Sequence, residues 1–166
     1  MIYTALYASP VGKLTLAAEK DALVGLWIEG QKFFESTLTE PPVPGEDLPL
    51  LCETAAWLDR YFAGERPAPA ELPLHPQGTP FRERVWALLR EIPYGTVTTY
   101  GALAEQLSAG ARAIGNAVGH NPISIIIPCH RVVGAGGTLT GYAGGLSAKE
   151  ALLRHEGVPV CGNQVL

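Results

Sequence analysis

Thr99-Tyr100-Gly101-Ala102-Leu103-Ala104-Glu105-Gln106-Leu107-Ser108-Ala109-Gly110-Ala111-Arg112-Ala113-Ile114-Gly115-Asn116-Ala117-Val118-Gly119-His120 is the stretch on which the fold turns. Thr99 is placed to cap a helix over Tyr100–Leu107, and Ser108-Ala109-Gly110 supplies a tight turn. A second helix follows over Ala111–Gly119. Two short helices with so brief a connection have the dimensions of a helix-turn-helix, and an ordinary αα-hairpin fits the same residues. In the second helix Ala111, Ile114, Gly115 and Val118 form the expected inward stripe. Arg112, Ala113, Asn116, Ala117 and His120 are expected to face outward, giving a small face with one positive charge that suits close approach to a groove.

Upstream, Thr79-Pro80 opens another helix with Thr as cap and Pro at its first position. Phe81, Val85, Leu88, Leu89 and Ile92 are its expected buried stripe, and Pro93-Tyr94-Gly95 stops it. Before it, Arg66 to Gln77 contains Pro67, Pro69, Pro73 and Pro76, which reads as a semi-rigid linker. The domain boundary is placed there, giving an α+β structural domain over 1–75 and a second domain over 76–166. In the first, Ile2–Ala8, Lys13–Ala18 and Ala22–Ile28 read as an antiparallel meander with turns at Ser9–Gly12 and Glu19–Asp21. Pro41-Pro42-Val43-Pro44-Gly45 reads as a loop. A helix then starts at Asp47 or Leu48, with Leu51, Ala55, Leu58 and Phe62 at helical spacing and Gly64 to end it.

Downstream, Asn121-Pro122 breaks the second helix of the pair. Ile123–Ile127 reads as a buried, strand-like run delivering the chain to Pro128-Cys129-His130-Arg131. Ser147-Ala148-Lys149-Glu150 has the form of a capping box for a last helix, with Leu152 and Leu153 buried and His155-Glu156-Gly157 at its end.

Composition limits the function classes. The chain has 166 residues, 47% of them hydrophobic, enough for a real core. No apolar run approaches the roughly 20 residues of a membrane helix, and the N-terminus lacks the marks of a secretory signal. A cytoplasmic protein with no membrane association is expected. Three cysteines, with no Cys-x-x-Cys and with scattered histidines, suggest neither a disulfide framework nor a zinc site. Cys52, in Leu50-Leu51-Cys52, is expected to be buried, and Cys161 receives no role. The net charge is −4, but residues 1–75 carry five Lys and Arg against eleven acids, and residues 76–166 seven against five. The second half is therefore net positive, which is compatible with modest, salt-sensitive binding to DNA.

Cys129 is the candidate nucleophile. A thiol acts as its thiolate, which needs a nearby base or positive charge, and His130 and Arg131 follow it directly. On an extended segment adjacent side chains face opposite ways, so a bridging water is expected between Cys129 and His130 rather than a direct bond. On these residues alone a structural cysteine remains the stronger reading.

The run Asn121-Pro122-Ile123-Ser124-Ile125-Ile126-Ile127-Pro128-Cys129-His130-Arg131-Val132 closely resembles the active-site signature of the O6-alkylguanine-DNA alkyltransferases. The resemblance extends from about Gly78 to Pro159 and is weaker in the first half. It takes in Arg112, the loop Gly141-Tyr142-Ala143-Gly144-Gly145 and the closing His155-Glu156-Gly157, and it is closest to the stand-alone bacterial form. It implies an α+β fold: a ribonuclease H-like antiparallel sheet with helices, then a mostly helical domain carrying the helix-turn-helix. It implies single-use transfer of an alkyl group from O6-alkylguanine, with O4-alkylthymine a second candidate lesion, in double-stranded DNA onto Cys129. In that pattern His130 takes the thiol proton through a water, Glu156 orients His130, Tyr100 donates a proton towards N3 of the leaving guanine, and Asn121 ties the connecting loop. Arg112 replaces the flipped base in the stack, with Tyr100, Ala113, Asn116 and Ala117 against the minor groove. Main-chain groups at Cys129 and Val132, with Tyr142, Ala143, Gly144 and Gly145, line the base pocket. A monomer without metal or other cofactor is implied. Ala143 departs from relatives with Ser there, which leaves the adduct range open. A non-catalytic lesion-binding relative of the same fold is the competing reading, and a nucleophilic cysteine argues against it.

Overall fold

The computed structural model describes residues 1–166. Strands β1 (Ile2–Ser9), β2 (Gly12–Glu19) and β3 (Ala22–Ile28) form the expected meander, each pair antiparallel. The β1–β2 register closes at Ser9 opposite Gly12, where a φ of +115° favours glycine, and the Ser9 hydroxyl donates to the Gly12 carbonyl at 2.6 Å. A fourth short strand, β4 (Val43–Pro44), adds in parallel to β1 from the segment expected to be loop, so the sheet order is β3-β2-β1-β4.

Helix α1 (Pro49–Phe62) starts with Leu48 as N-cap and Pro49 at its first position. Its buried stripe is Leu51, Thr54, Trp57, Leu58 and Tyr61. The expected stripe carried Ala55 and Phe62 instead; the larger apolar surface of Trp57 and Tyr61 rotates the helix by part of a turn. Cys52, expected to be buried, is exposed on the other side.

The proline-rich stretch is packed rather than a free spacer. The Trp57 indole donates to the Ala68 carbonyl at 2.9 Å, Leu72 is buried, and the chain at 73–75 pairs with the outer edge of β3. Leu23 N–H donates to Pro73 at 2.8 Å and His75 N–H donates to Leu23 at 2.9 Å. Further along the same strand, Leu26 N–H donates to the Pro122 carbonyl at 2.8 Å, and Ser124 N–H donates to Leu26 at 3.0 Å. A sheet edge that would present unpaired amides is thus covered by the residues that lead to Cys129.

In the second half, α2 (Pro80–Leu89) is capped by the Thr79 hydroxyl, which accepts from Arg82 N–H at 3.2 Å. Trp86, outside the expected stripe, is fully buried with Val85 and Leu89, because its indole reaches the Ala117 carbonyl at 2.8 Å. Helices α3 (Tyr100–Leu107) and α4 (Ala111–Gly119) form the expected pair, with Thr99 capping α3 and Ser108 left-handed in the turn. A parallel two-stranded pairing of β5 (Thr98–Thr99) with β6 (Val132–Val133) ties the start of α3 to the chain just after Cys129.

The isoleucine run is buried as expected, but it forms consecutive turns and not a strand. Asn121 is the reason: its amide donates to the Ile127 carbonyl at 2.8 Å and accepts from Ile123 N–H at 3.1 Å, folding the run back on itself. Ile125 is driven to φ +71°, strained for a β-branched residue. The last helix, α5 (Leu146–His155), begins one residue before Ser147 with Gly145 as N-cap at φ +94° and no side-chain cap bond. Ser147 therefore lies inside the first turn and forms no capping box. A hairpin, β7 (Val160–Cys161) with β8 (Gln164–Val165), ends the chain.

Candidate active site

Cys129, His130 and Arg131 form one turn of 3-10 helix between the isoleucine turns and β6, so the expected extended geometry does not hold at this point. The turn lets neighbouring side chains leave in different directions into one buried space, and all three are buried. His130 Nε2 lies 2.7 Å from Glu156 Oε2, and Arg131 clamps the same carboxylate from Nε at 2.8 Å and Nη2 at 3.0 Å. Such a fork on a carboxylate is strong and fixes orientation. Gly95 N–H donates to Glu156 Oε1 at 3.1 Å, and the Tyr61 hydroxyl of α1 donates to Oε2 at 2.6 Å.

These neighbours set the charges. Burial pushes the Glu156 carboxyl up, but the hydrogen bonds from His130 and Arg131 and the Arg131 guanidinium charge hold it well below the usual carboxylate range. Burial lowers the His130 pKa, and the contact with Glu156 only partly restores it. His130 is therefore neutral near pH 7. Its Nδ1 makes no hydrogen bond, so it is the ring nitrogen free to accept a proton. Burial raises the Cys129 thiol pKa, with the Asn121 side chain and the Lys149 charge pulling it partly back. At rest the thiol is protonated and the imidazole of the following residue is neutral.

Lys149 and Tyr61 were not among the expected site residues. Lys149 is fully buried on α5, where its ammonium donates to the carbonyls of Val132 at 2.5 Å and Thr140 at 3.0 Å. Desolvation brings its pKa down to about 8, against the opposing pull of Cys129. The signal for it was a lysine at 149 in the helical stripe of Leu152 and Leu153. For Tyr61 the sequence held no such signal.

Over this core lies a cavity of about 620 Å³ between α4 and the loop 140–143. Of the expected residues, Tyr100, Arg112, Asn116, Tyr142 and Ala143 line it. Burial, then the charge of Cys129, raises the pKa of both Tyr100 and Tyr142; the two phenols line the cavity, and Cys129, whose main-chain groups were expected there, does not. The Tyr100 hydroxyl donates to the carbonyls of Thr140 and Gly141 at 3.1 and 3.2 Å. Gly144 packs so tightly on Ile28 and Tyr142 that a Cβ there would meet Ile28 Cδ1 at 2.6 Å. Val132 is buried and its carbonyl is taken by Lys149; neither it, Gly144 nor Gly145 lines the cavity. Arg112 and Ala113 are exposed on α4 and Asn116 bonds Arg82 at 3.0 Å. Ala117, expected on the same outward face, is only 1% exposed. The stripe of α4 centres on Ile114, Ala117 and Val118, the i, i+3, i+4 set, because Trp86 packs there; Ala111 is exposed instead.

Residues 2–76 match the family model described as 6-O-methylguanine DNA methyltransferase, ribonuclease-like domain, and residues 80–158 match 6-O-methylguanine DNA methyltransferase, DNA binding domain. A methylated-DNA--protein-cysteine methyltransferase of Haemophilus influenzae is 40% identical over 95% of this chain and 88% of its own length. The crystal structure of the Mycobacterium tuberculosis O6-methylguanine methyltransferase superposes with a TM-score of 0.79 at 43% identity, covering 94% of this chain and 93% of that one. A Mycobacterium tuberculosis OGT in complex with DNA gives 0.77 at 43% identity, covering 93% and 91%. By these matches the chain belongs to the 6-O-methylguanine DNA methyltransferase family.

Proposed function

We propose that this chain repairs DNA by moving an alkyl group from O6-alkylguanine, with O4-alkylthymine a second candidate lesion, onto Cys129. The observation that carries the reading is the buried pair His130–Glu156, with the buried Cys129 directly before His130 in the same turn and a cavity lined by Tyr100 and Tyr142 along α4. The target carbon lies within a stacked duplex, so the nucleotide must be turned out into that cavity. Arg112, exposed and without an ion pair, fills the gap in the stack from the minor groove, and Ala113 and Asn116 let α4 approach closely.

The thiol proton passes through a water to His130 Nδ1, while Glu156 holds Nε2 and balances the imidazolium. The thiolate attacks the alkyl carbon in line, the S–C bond forms and the C–O6 bond breaks. The electron pair returns to the base, and Tyr100 delivers a proton to N3 of the leaving guanine. Asn121 fixes the turns before Cys129, and the 140–145 loop with Tyr142 and Ala143 borders the base. The product is a thioether that no group in the site can cleave, so each molecule acts once. Residues 1–75 support the site and residues 76–166 carry it. The protein acts as a monomer in the cytoplasm and needs no cofactor.

Intact-protein mass after incubation with duplex DNA containing O6-methylguanine tests this. One added methyl, located on the Cys129 peptide and absent from Cys129→Ser, is the expected result; an unchanged mass refutes it.

A further inference from the structure

The cavity has a third border that the helix-turn-helix does not supply. Lys32 and Phe33, on the loop after β3, line it together with Arg112, Asn116 and His120. Among the cavity-lining side chains the charges are Lys32 and Arg112, with His120 as a third basic group, and no Asp or Glu lines it. That is a local excess of positive charge in a chain of net charge −4, on the edge of a half that is otherwise acidic. Neither Lys32 nor Arg112 is ion-paired.

The loop is built to hold Lys32 there. Lys32 N–H donates to the Ala143 carbonyl at 3.1 Å, tying the loop to the base-pocket segment. Buried Gln31 braces it from below, accepting from Ile28 N–H at 2.7 Å and donating to the Lys32 carbonyl at 3.2 Å. The Phe33 ring stacks on His120 at the end of α4, with centroids 3.8 Å apart and planes 25° from parallel. Phe33 is nonetheless 44% exposed and held at φ +59°, a left-handed conformation that costs a non-glycine residue energy. The strained backbone is held where the ring stacks on α4, so Phe33 keeps the loop, and Lys32 with it, at the rim of the cationic cleft.

We infer that Lys32 is a DNA-binding residue contributed by the N-terminal half, contacting a backbone phosphate beside the extruded nucleotide, and that Phe33 is a positioning residue that latches its loop to α4. The inference rests on the reading of the cavity as the DNA cleft. The acidic half then does more than support the site: it closes the cleft with one cation where the sugar-phosphate chain must pass.

Binding of a short duplex containing O6-methylguanine, titrated over a range of salt, tests it. Each phosphate neutralised on duplex DNA contributes about 0.9 to the slope of log K against log salt. Lys32→Ala should lower that slope by about one phosphate, whereas Lys20→Asn, which removes the same charge at the far β2–β3 turn, should leave it as in the unaltered chain. Phe33→Ala should lower the slope as Lys32→Ala does, and Phe33→Tyr, which keeps the stack, should restore it. A slope unchanged in Lys32→Ala overturns the inference. Methyl transfer scored in the same samples reports separately: transfer lost from the unaltered chain with the Lys32 slope effect intact would remove the chemistry and leave the contact.

Discussion

Tyr61 of α1 donates its 2.6 Å hydrogen bond to the very carboxylate oxygen of Glu156 that holds His130, across 95 positions of sequence. The N-terminal half thus contributes a hydroxyl directly to the His130–Glu156 pair. Hydrogen bonds to charged groups contribute about 1.5–3 kcal/mol. Tyr61→Phe keeps the ring stacked on Trp57, 5.8 Å away, and should lower stability by about that amount. The urea midpoint should fall with the slope unchanged; an unmoved midpoint would show that the bond carries nothing.

Glu156→Gln leaves the Arg131 guanidinium buried against a neutral partner. Breaking a buried pair in this way costs about 3–5 kcal/mol. The pH sign follows from the depressed Glu156 carboxyl. Its stabilisation is complete above the ordinary glutamate value of about 4.3 and is lost as pH falls towards its folded value. Denaturation of both chains between about pH 3 and 7 should therefore converge at the acid end. A constant gap would contradict it.

The neutral state of His130 predicts the acid limb of the reaction. Burial, only partly offset by Glu156, lowers its pKa, so the imidazole remains a base below the ordinary histidine value of about 6.5. The transfer rate should fall with acid at a midpoint below that value. A midpoint above it would remove His130 as the base.

Lys149→Met takes away the cation that draws the Cys129 pKa down and the donor to Val132 and Thr140. The thiol pKa should rise and transfer should slow. In a background with the exposed Cys52 and Cys161 changed to serine, the pH dependence of thiol-reagent labelling reads this directly. An unshifted curve would mean that the ammonium is purely structural.

Arg112 is exposed and bonded to nothing, so Arg112→Ala should leave stability within about 0.5 kcal/mol. Repair of duplex DNA should slow far more than reaction with free O6-benzylguanine. Equal slowing would count against a role in the stack.

What could be read from the sequence was local. Thr99 and Thr79 cap the helices they were expected to cap, since a cap is decided by a few neighbours. The run around Cys129 pointed to the family only through its resemblance to a known signature, and the family matches agree. What escaped depends on contacts distant in the chain. Ala117 turned inward because Trp86 needed its carbonyl, and the isoleucines became turns because Asn121 bonds both ends of the run. Tyr61 and Lys32 join the site only once the halves have packed, and no spacing along the chain encodes that.

The seam along β3 also has a meaning for how the molecule holds together. Leu26 exchanges hydrogen bonds with Pro122 and Ser124, and a single apolar cluster includes Leu14 and Leu26 from one half with Ile123, Ile127 and Cys129 from the other. A fragment beginning at residue 76 would keep the nucleophile but lose the rail its loop leans on, and the complementary fragment would show an uncovered strand edge prone to self-association. The division suggested by charge is thus not a line of cleavage. Backbone amides of β3 and of the turns before Cys129 should exchange with solvent as one cooperative unit, opening together or not at all.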